Sequence, residues 1–275
     1  MDEQLYLMGL GLSLEEKVDK AIATFQHYEG EALKFDNDGY WLCDSYGKDS
    51  CVILDLAKKA GVKFKAVHNL TTIDPPELIY FGRKHHTETI VIKPDIPLLK
   101  IVETVHGLPT RLQRWCCAKY KESANGNSVA MFGVRASESV RRKANWKIWT
   151  PHRHGSWILN PILYWSDENV WQYIHGNNIP YCELYDEGFK RLGCIGCPMA
   201  GKGRKEEFKR WPKYEQAWKR STEKHWNNWK GVPRKDGEPR AIDTMGMKSW
   251  EDLWSWWMED MPKVEIEDDC QMGLF

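Results

Sequence analysis

Between Tyr40 and Asn69 the chain reads as strand, loop, helix, strand, and that unit leaves few folds open. Tyr40-Trp41-Leu42-Cys43 is a short apolar run of buried-strand type. Asp44-Ser45-Tyr46-Gly47-Lys48-Asp49-Ser50 follows, and then Val52, Ile53, Leu56 and Ala57 recur at helical spacing until Gly61 stops them. Residues 62–69 alternate as the next strand. Two consecutive strands joined by a helix pair in parallel, and open parallel sheets bind ligands at the carboxyl ends of their strands. The expected fold is therefore α/β, a parallel twisted sheet flanked by helices. Further strands are expected at 89–92, 129–134 and Trp157–Leu159, and helical stretches at 97–106 and 167–176. An earlier helix is announced by the capping-box pattern Ser13-Leu14-Glu15-Glu16, followed by Val18, Ala21, Ile22 and Phe25 on one face. The site is expected where the loops after the first three strands converge.

Composition narrows the partners. Of 275 residues, 39 are basic and 39 acidic, so the formal charge is zero. That argues against wrapping nucleic acid by bulk electrostatics but leaves a local basic cleft open. No apolar run approaches the ~18–20 residues of a membrane span, and Met1-Asp2-Glu3-Gln4 lacks the basic start of a secretory signal. The chain is thus expected to be cytoplasmic, with no membrane partner. In a reducing compartment its eight Cys read as metal ligands or redox thiols where they cluster. They cluster at Cys116-Cys117 and at Cys194-x-x-Cys197. Of fifteen Trp, two precede residue 145 and thirteen follow it. Trp211, Tyr214, Trp218, His225 and Trp229 share a helical face, as do Trp250, Leu253, Trp254 and Trp257. Helix packing explains such stripes, and base stacking is the alternative.

The hexapeptide Ser45–Ser50 sits where a strand gives way to a helix. Such a place gathers backbone N–H groups and the positive end of the helix dipole, which suits phosphate or sulfate. Gly47 allows a tight backbone, Lys48 adds a point charge, and Ser45 and Ser50 add hydroxyls. It lacks the spacing of a Walker A loop, and an ordinary polar turn has the same composition.

Ser45-Tyr46-Gly47-Lys48-Asp49-Ser50 resembles the S-G-G-x-D-S pyrophosphate loop (PP-loop) of the adenine nucleotide alpha-hydrolase-like superfamily, with Tyr46 where Gly is usual. A side chain there is expected to narrow the loop. His68 to Glu77, including Thr72, ends the next strand, where that family places nucleotide-holding residues. Gly133-Val134-Arg135-Ala136-Ser137-Glu138-Ser139-Val140-Arg141 resembles its G-x-R-x-x-E-S-x-x-R loop. Arg135 and Arg141 suit bidentate phosphate or sulfate recognition, and Glu138 suits orienting Arg135 or contacting the ribose; a surface ion-pair cluster is the plainer reading. Asn160 to Ile174, then Ile179-Pro180-Tyr181, Leu184 to Phe189 and Gly193-Cys194 are similar, in order, to phosphoadenosine phosphosulfate (PAPS) reductases. The resemblance spans roughly 38–200. It divides the chain into an N-terminal helix (1–35), a nucleotide-binding domain (36–204), a Trp-rich helical lobe (205–262) and an acidic tail (263–275).

Four thiols in two pairs suit zinc or an iron–sulfur cluster, and adjacent ligands such as Cys116 and Cys117 are unusual for structural zinc. The pattern C-C plus C-x-x-C resembles that of adenylyl-sulfate reductases, which implies a [4Fe–4S] cluster on Cys116, Cys117, Cys194 and Cys197, with zinc as the alternative. It also implies a nearby lysine, Lys119, with Lys121 close behind, linking cluster and substrate. The family further implies a C-terminal nucleophile and a thioredoxin or glutaredoxin partner. Cys270 has the location, but no Gly follows it directly and no His follows at all, unlike E-C-G-x-H, and flanking acids raise a thiol pKa.

The resemblance implies an oxidoreductase that binds an adenine nucleotide and reduces activated sulfate, adenylyl-sulfate or its 3′-phosphate, to sulfite. One alternative is an ATP pyrophosphatase-type sulfur-transfer enzyme acting on DNA or RNA. It is favoured by Gln271-Met272-Gly273-Leu274-Phe275, which resembles the peptide that docks on bacterial sliding clamps. A non-catalytic nucleotide-binding protein is the other. The basic run 202–210 reads as a solvated helix face, or as a cleft or polynucleotide contact.

Overall fold

The computed structural model describes residues 11–122, 128–152 and 156–259. They form two compact units. The first comprises 11–70, 75–92, 128–152 and 156–192; the second comprises 71–74, 93–122 and 193–259.

The first unit is built on a six-stranded sheet of order β3-β2-β1-β4-β6-β5. Its strands are β1 (Tyr40–Cys43), β2 (Phe64–Asn69), β3 (Ile90–Ile92), β4 (Ala130–Met131), β5 (Trp149–Pro151) and β6 (Trp157–Leu159). β3, β2, β1, β4 and β6 run parallel, with Tyr40 opposite Phe64 and Trp41 opposite Ala130. β5 runs antiparallel at the edge; three residues ending in Pro carry little strand signal, and an edge is where Pro is tolerated. The helices α1 (Leu14–Phe35), α2 (Lys48–Ala60), α3 (Pro76–His85), α4 (Val140–Asn145) and α5 (Asp167–Gly176) flank it. At the start of α1, Ser13 and Glu16 exchange the two bonds of the capping box, 2.7 and 3.2 Å long. Phe25, Leu42, Val52, Ile53, Leu56, Met131 and Leu159 are buried together in the core, and truncating a fully buried aromatic such as Phe25 in such a core costs about 3–5 kcal/mol.

The second unit holds the helices α6 (Gly203–Arg210), α7 (Pro212–Trp229), α8 (Ala241–Thr244) and α9 (Trp250–Met258). The helix expected over 97–106 is a short α-turn, Leu98–Ile101, continued by a π-turn, Val102–His106. Glu103 in that π-turn is buried and takes Lys100 at 3.1 Å and Ser221 and Lys224 at 3.2 Å. The Trp stripes pack helix against helix: the Trp218 and Trp257 ring centroids lie 4.9 Å apart, and Phe208 of α6 and Trp254 of α9 lie 5.8 Å apart. Arg204, expected on a solvated face, is instead buried with its guanidinium 4.3 Å from the Trp257 ring. The compact units also cut across the linear division at residue 204. Ile195 N–H donates to the Ile73 carbonyl, Leu98 N–H to Thr72 Oγ1 and Trp218 Nε1 to the Ile195 carbonyl. Both cysteine pairs therefore belong with the Trp-rich helices. Among the described residues no helix is long and apolar enough to cross a membrane.

His225 makes this unit acid-sensitive. Burial, aided by Arg240, pushes its ring down to about 4 from an ordinary 6.5, while the Val102 backbone pulls the other way. Between those values the unfolded chain holds a proton that the folded chain does not, so stability falls as pH drops through the window. From pH 7.5 to pH 5 the loss from this group is about 2 kcal/mol. Urea unfolding of wild type and His225→Gln at the two pH values should show the variant losing less.

Candidate active site

β1 gives way at its carboxyl end to Asp44, whose carboxylate shapes the loop that follows. It accepts Tyr46 N–H at 3.0 Å, Thr89 Oγ1 at 2.8 Å and His86 Nδ1 at 2.6 Å. Burial works against its ionisation, but His86, Tyr46 N–H and Thr89 outweigh that and hold it below the usual carboxylate range. The turn places Tyr46 at φ 61°, a left-handed conformation uncommon for non-glycine residues. Its ring is thereby turned away from the loop mouth, stacked 4.0 Å from His68 at 8° and buried. Gly82 makes room for it: a Cβ there would stand 2.3 Å from the Tyr46 ring. The expectation that Tyr46 narrows the loop is thus corrected, because the backbone sends the side chain into the sheet unit's interior.

The loop opens onto the N-terminus of α2, where Gly47 is the cap and provides no side-chain acceptor. Tyr185 fills that role, its hydroxyl accepting Lys48 N–H at 2.9 Å. Ser50 Oγ donates to the Gly47 carbonyl at 2.8 Å and lies 3.3 Å from Ser45 Oγ. Burial first, then Asp49, keeps the Tyr185 phenol neutral by raising its pKa.

Four charges ring the loop. Arg135 Nε donates to Asp49 at 2.6 Å and its terminal nitrogen to Asp167 at 2.9 Å. Lys48 Nζ lies 3.3 Å from Asp49 and 3.2 Å from Asp167. Arg135 and Lys48 are both buried. Burial disfavours the Arg135 charge, but Asp49, Glu138 and Asp167 more than restore it. Burial raises the Asp167 carboxyl less than Lys48 and Arg135 lower it. Glu138 accepts the main-chain N–H of Arg135 at 3.0 Å and pairs with Arg142. It therefore fixes the backbone of the Arg135 loop rather than the guanidinium. The side chain of Arg141 lies outside the described residues.

Ser45, Gly47, Lys48, Asp49, Ser50, Arg135 and Glu138 are thus brought together in the first unit, and Asp44, Tyr185 and Asp167 join them. Thr72 belongs to the second unit, at φ 67°, and its hydroxyl accepts Leu98 N–H at 3.0 Å.

The second unit gathers the thiols. Cys194-Ile195-Gly196-Cys197 is a turn closed by Cys197 N–H on the Cys194 carbonyl at 3.2 Å. Glu207 accepts Gly196 N–H at 2.8 Å, and the Cys194 thiol lies 3.4 Å from Thr71 Oγ1. Cys116 and Cys117 sit on the helical turn Trp115–Cys117, which runs on as a π-turn, Ala118–Glu122. A hydrogen bond from Cys116 lowers the Cys117 thiol below its usual range, against burial and with help from Lys121 and Arg114. Arg114 donates to Cys117 Sγ at 3.3 Å. Lys121 stands in the field of Cys194, Cys117, Asp74 and Cys197, which holds its pKa above the usual lysine value. The four thiols are close enough to perturb one another's ionisation. The donor set fits a soft metal centre: four sulfurs, with Lys121 and Arg114 as compensating cations. Among the described residues no three His, Cys, Asp or Glu side chains form a ready-made metal-binding group. Cys270 and Gln271–Phe275 lie outside the described residues.

A family model for the phosphoadenosine phosphosulfate reductase domain matches residues 39–200. An uncharacterised protein of Methanocaldococcus jannaschii is 29% identical over 248 residues, covering 78% of this chain and 50% of that protein, so the chain spans about half that relative's length. An adenosine 5′-phosphosulfate reductase of Oceanobacillus iheyensis is 32% identical over 166 residues, covering 56% of this chain and 68% of that enzyme. The crystal structure of a phosphoadenylyl-sulfate reductase from Candida auris is similar, with a TM-score of 0.48 and 20% identity, over 71% of this chain and 94% of that one. With the family model covering more than half of its length, the chain belongs to the phosphoadenosine phosphosulfate reductase domain family.

Proposed function

We propose that the chain binds an adenine nucleotide at the Ser45–Ser50 loop and reduces activated sulfate, as adenylyl-sulfate or its 3′-phosphate, to sulfite. The observation that carries this reading is the loop itself: a strand-to-helix turn with Lys48 and Arg135 beside it, both buried, in a chain of this family. The N-terminus of α2 and its dipole favour an anionic group. Tyr185, neutral and within hydrogen-bond distance of Lys48 N–H, can turn its O–H toward a phosphate or sulfate oxygen. Lys48 and Arg135 offset the charge that develops when the sulfonyl group leaves the nucleotide.

Cys270 is the proposed nucleophile. Its thiolate attacks the sulfur, an S–S bond forms, and the S–O bond to phosphate breaks with its electron pair leaving on the nucleotide. A dithiol protein, thioredoxin or glutaredoxin, then reduces the thiosulfonate, becoming a disulfide as sulfite departs. Cys116, Cys117, Cys194 and Cys197 would hold a [4Fe–4S] cluster. When bound, such a cluster supplies a concentrated, polarisable charge, and Lys121 would balance it.

The test uses the full chain, purified anaerobically and given either sulfonucleotide with a dithiol donor, and in parallel ATP. Sulfite from adenylyl-sulfate or its 3′-phosphate, and a brown colour lost in Cys194→Ser, are expected. Pyrophosphate from ATP without sulfite would overturn the reductase reading in favour of an adenylating sulfur-transfer enzyme acting on DNA or RNA. Zinc in place of iron would overturn the cluster alone.

A further inference from the structure

The second unit holds a cavity of about 230 Å³ that the proposed reaction does not use. Leu108, Ile242, Leu253 and Trp256 give it an apolar wall, and His225, Arg234 and Arg240 give it a cationic and polar one. None of its lining residues is acidic. Asp243, on the same helix as Ile242, is held by Gly231 N–H at 2.9 Å and Arg240 N–H at 3.3 Å. Arg234 pairs with Asp236 at 3.1 Å. The Arg240 guanidinium lies 4.1 Å from the Trp229 ring, and its Nε donates to the Val232 carbonyl at 3.0 Å. Planar stacking and a backbone anchor leave that guanidinium preset rather than mobile.

His225 is the second observation. The residue is more than nine-tenths buried; the Val102 backbone acts on its ring, but Nδ1 has no hydrogen-bond partner among the described residues. Buried polar atoms in folded proteins are nearly always paired, so an orphan on a cavity wall points to a group that arrives from outside. Gly107, at φ +69°, packs against the His225 ring so tightly that a Cβ would stand 2.7 Å from Nε2.

We infer that this cavity is a binding site for a small organic anion: a single flat apolar ring bearing a carboxylate or phosphate. The volume sets the size, lying below the ~300 Å³ at which drug-sized sites begin. The apolar wall takes the ring, the Arg240 guanidinium takes the anion, and His225 Nδ1 takes a polar atom of the ligand.

Ligand-observed NMR and calorimetry on the full chain test this with benzoate, phenyl phosphate, benzyl alcohol and inorganic phosphate. One or both aromatic anions should bind, and the tighter of the two tells which acid the site takes. Arg240→Gln should weaken it by about ten-fold or more, the worth of a charge-assisted hydrogen bond. Met245 lies at the cavity and is exposed, so Met245→Trp should block entry without disturbing the core. Benzyl alcohol binding as tightly as benzoate would overturn the proposal, as would inorganic phosphate matching phenyl phosphate. Binding untouched by both variants would overturn it too, and so would no binding of either aromatic anion at millimolar concentration.

Discussion

Asp44→Ala should cost the sheet unit about 3–5 kcal/mol, the scale of several buried donors losing their shared acceptor. Three donors depend on that carboxylate, and all three are buried with it: Tyr46 N–H, Thr89 Oγ1 and His86 Nδ1. Each donor left unsatisfied costs about 1–3 kcal/mol. The Tyr46 backbone, held left-handed by this turn, has then no reason to keep the loop's shape. Asp44→Asn keeps the volume and one acceptor, so it should lose about half as much. Urea unfolding with an unchanged m-value reads the effect. Acid offers an independent readout. Because the folded carboxyl lies below its unfolded value near 3.8, its stabilisation is full above that value and is lost as pH falls through the folded one. Asp44→Ala should flatten that acid limb. A variant as stable as wild type with the same acid limb would remove Asp44 from this role.

Why Asp44 escaped the sequence reading is instructive. As a residue just before the loop it is an ordinary turn former, and its partners His86 and Thr89 lie 42 and 45 residues further along. No local pattern marks such distances. The loop and the sheet around it were legible because hydrophobic period and turn chemistry are local. Tyr46 was visible but misplaced. Whether its ring enters the loop mouth depends on the sign of φ, which the residue type does not reveal. Lys119 and Lys121 could not be told apart from the sequence. Two residues apart on a helix face nearly opposite ways, so choosing between them requires the helix phase, and here a π-turn sets it. The four cysteines stood out by spacing alone. Their membership of the helical unit did not, because it rests on the backbone bonds of 71–74 and 193–197 rather than on composition.

Arg135→Ala should weaken nucleotide binding by about 100-fold, and Asp167→Asn should strengthen it by about three- to ten-fold. The opposite signs follow from the ring of charges at the loop. Arg135 and Lys48 make +2 and Asp49 and Asp167 make −2, so the ring is neutral. Removing the guanidinium leaves −1 facing an incoming phosphate, and it also frees Asp49 from its 2.6 Å partner to compete for the helix N-terminus. Neutralising Asp167 leaves +1. Asp167 is 62% exposed and sits in the first turn of α5, so its exchange for Asn disturbs little packing. Arg135→Lys separates charge from shape, since an ammonium keeps the charge but loses the rigid fork that gives Asp49 the Nε and Asp167 a terminal nitrogen. It should fall between wild type and Arg135→Ala. Isothermal titration with adenylyl-sulfate at low and moderate salt measures all three. The spread among the variants should shrink as salt rises, because only the electrostatic part is screened. Equal weakening in Arg135→Ala and Asp167→Asn would mean that the ring acts as structural support for the loop rather than as the source of the field that receives the anion.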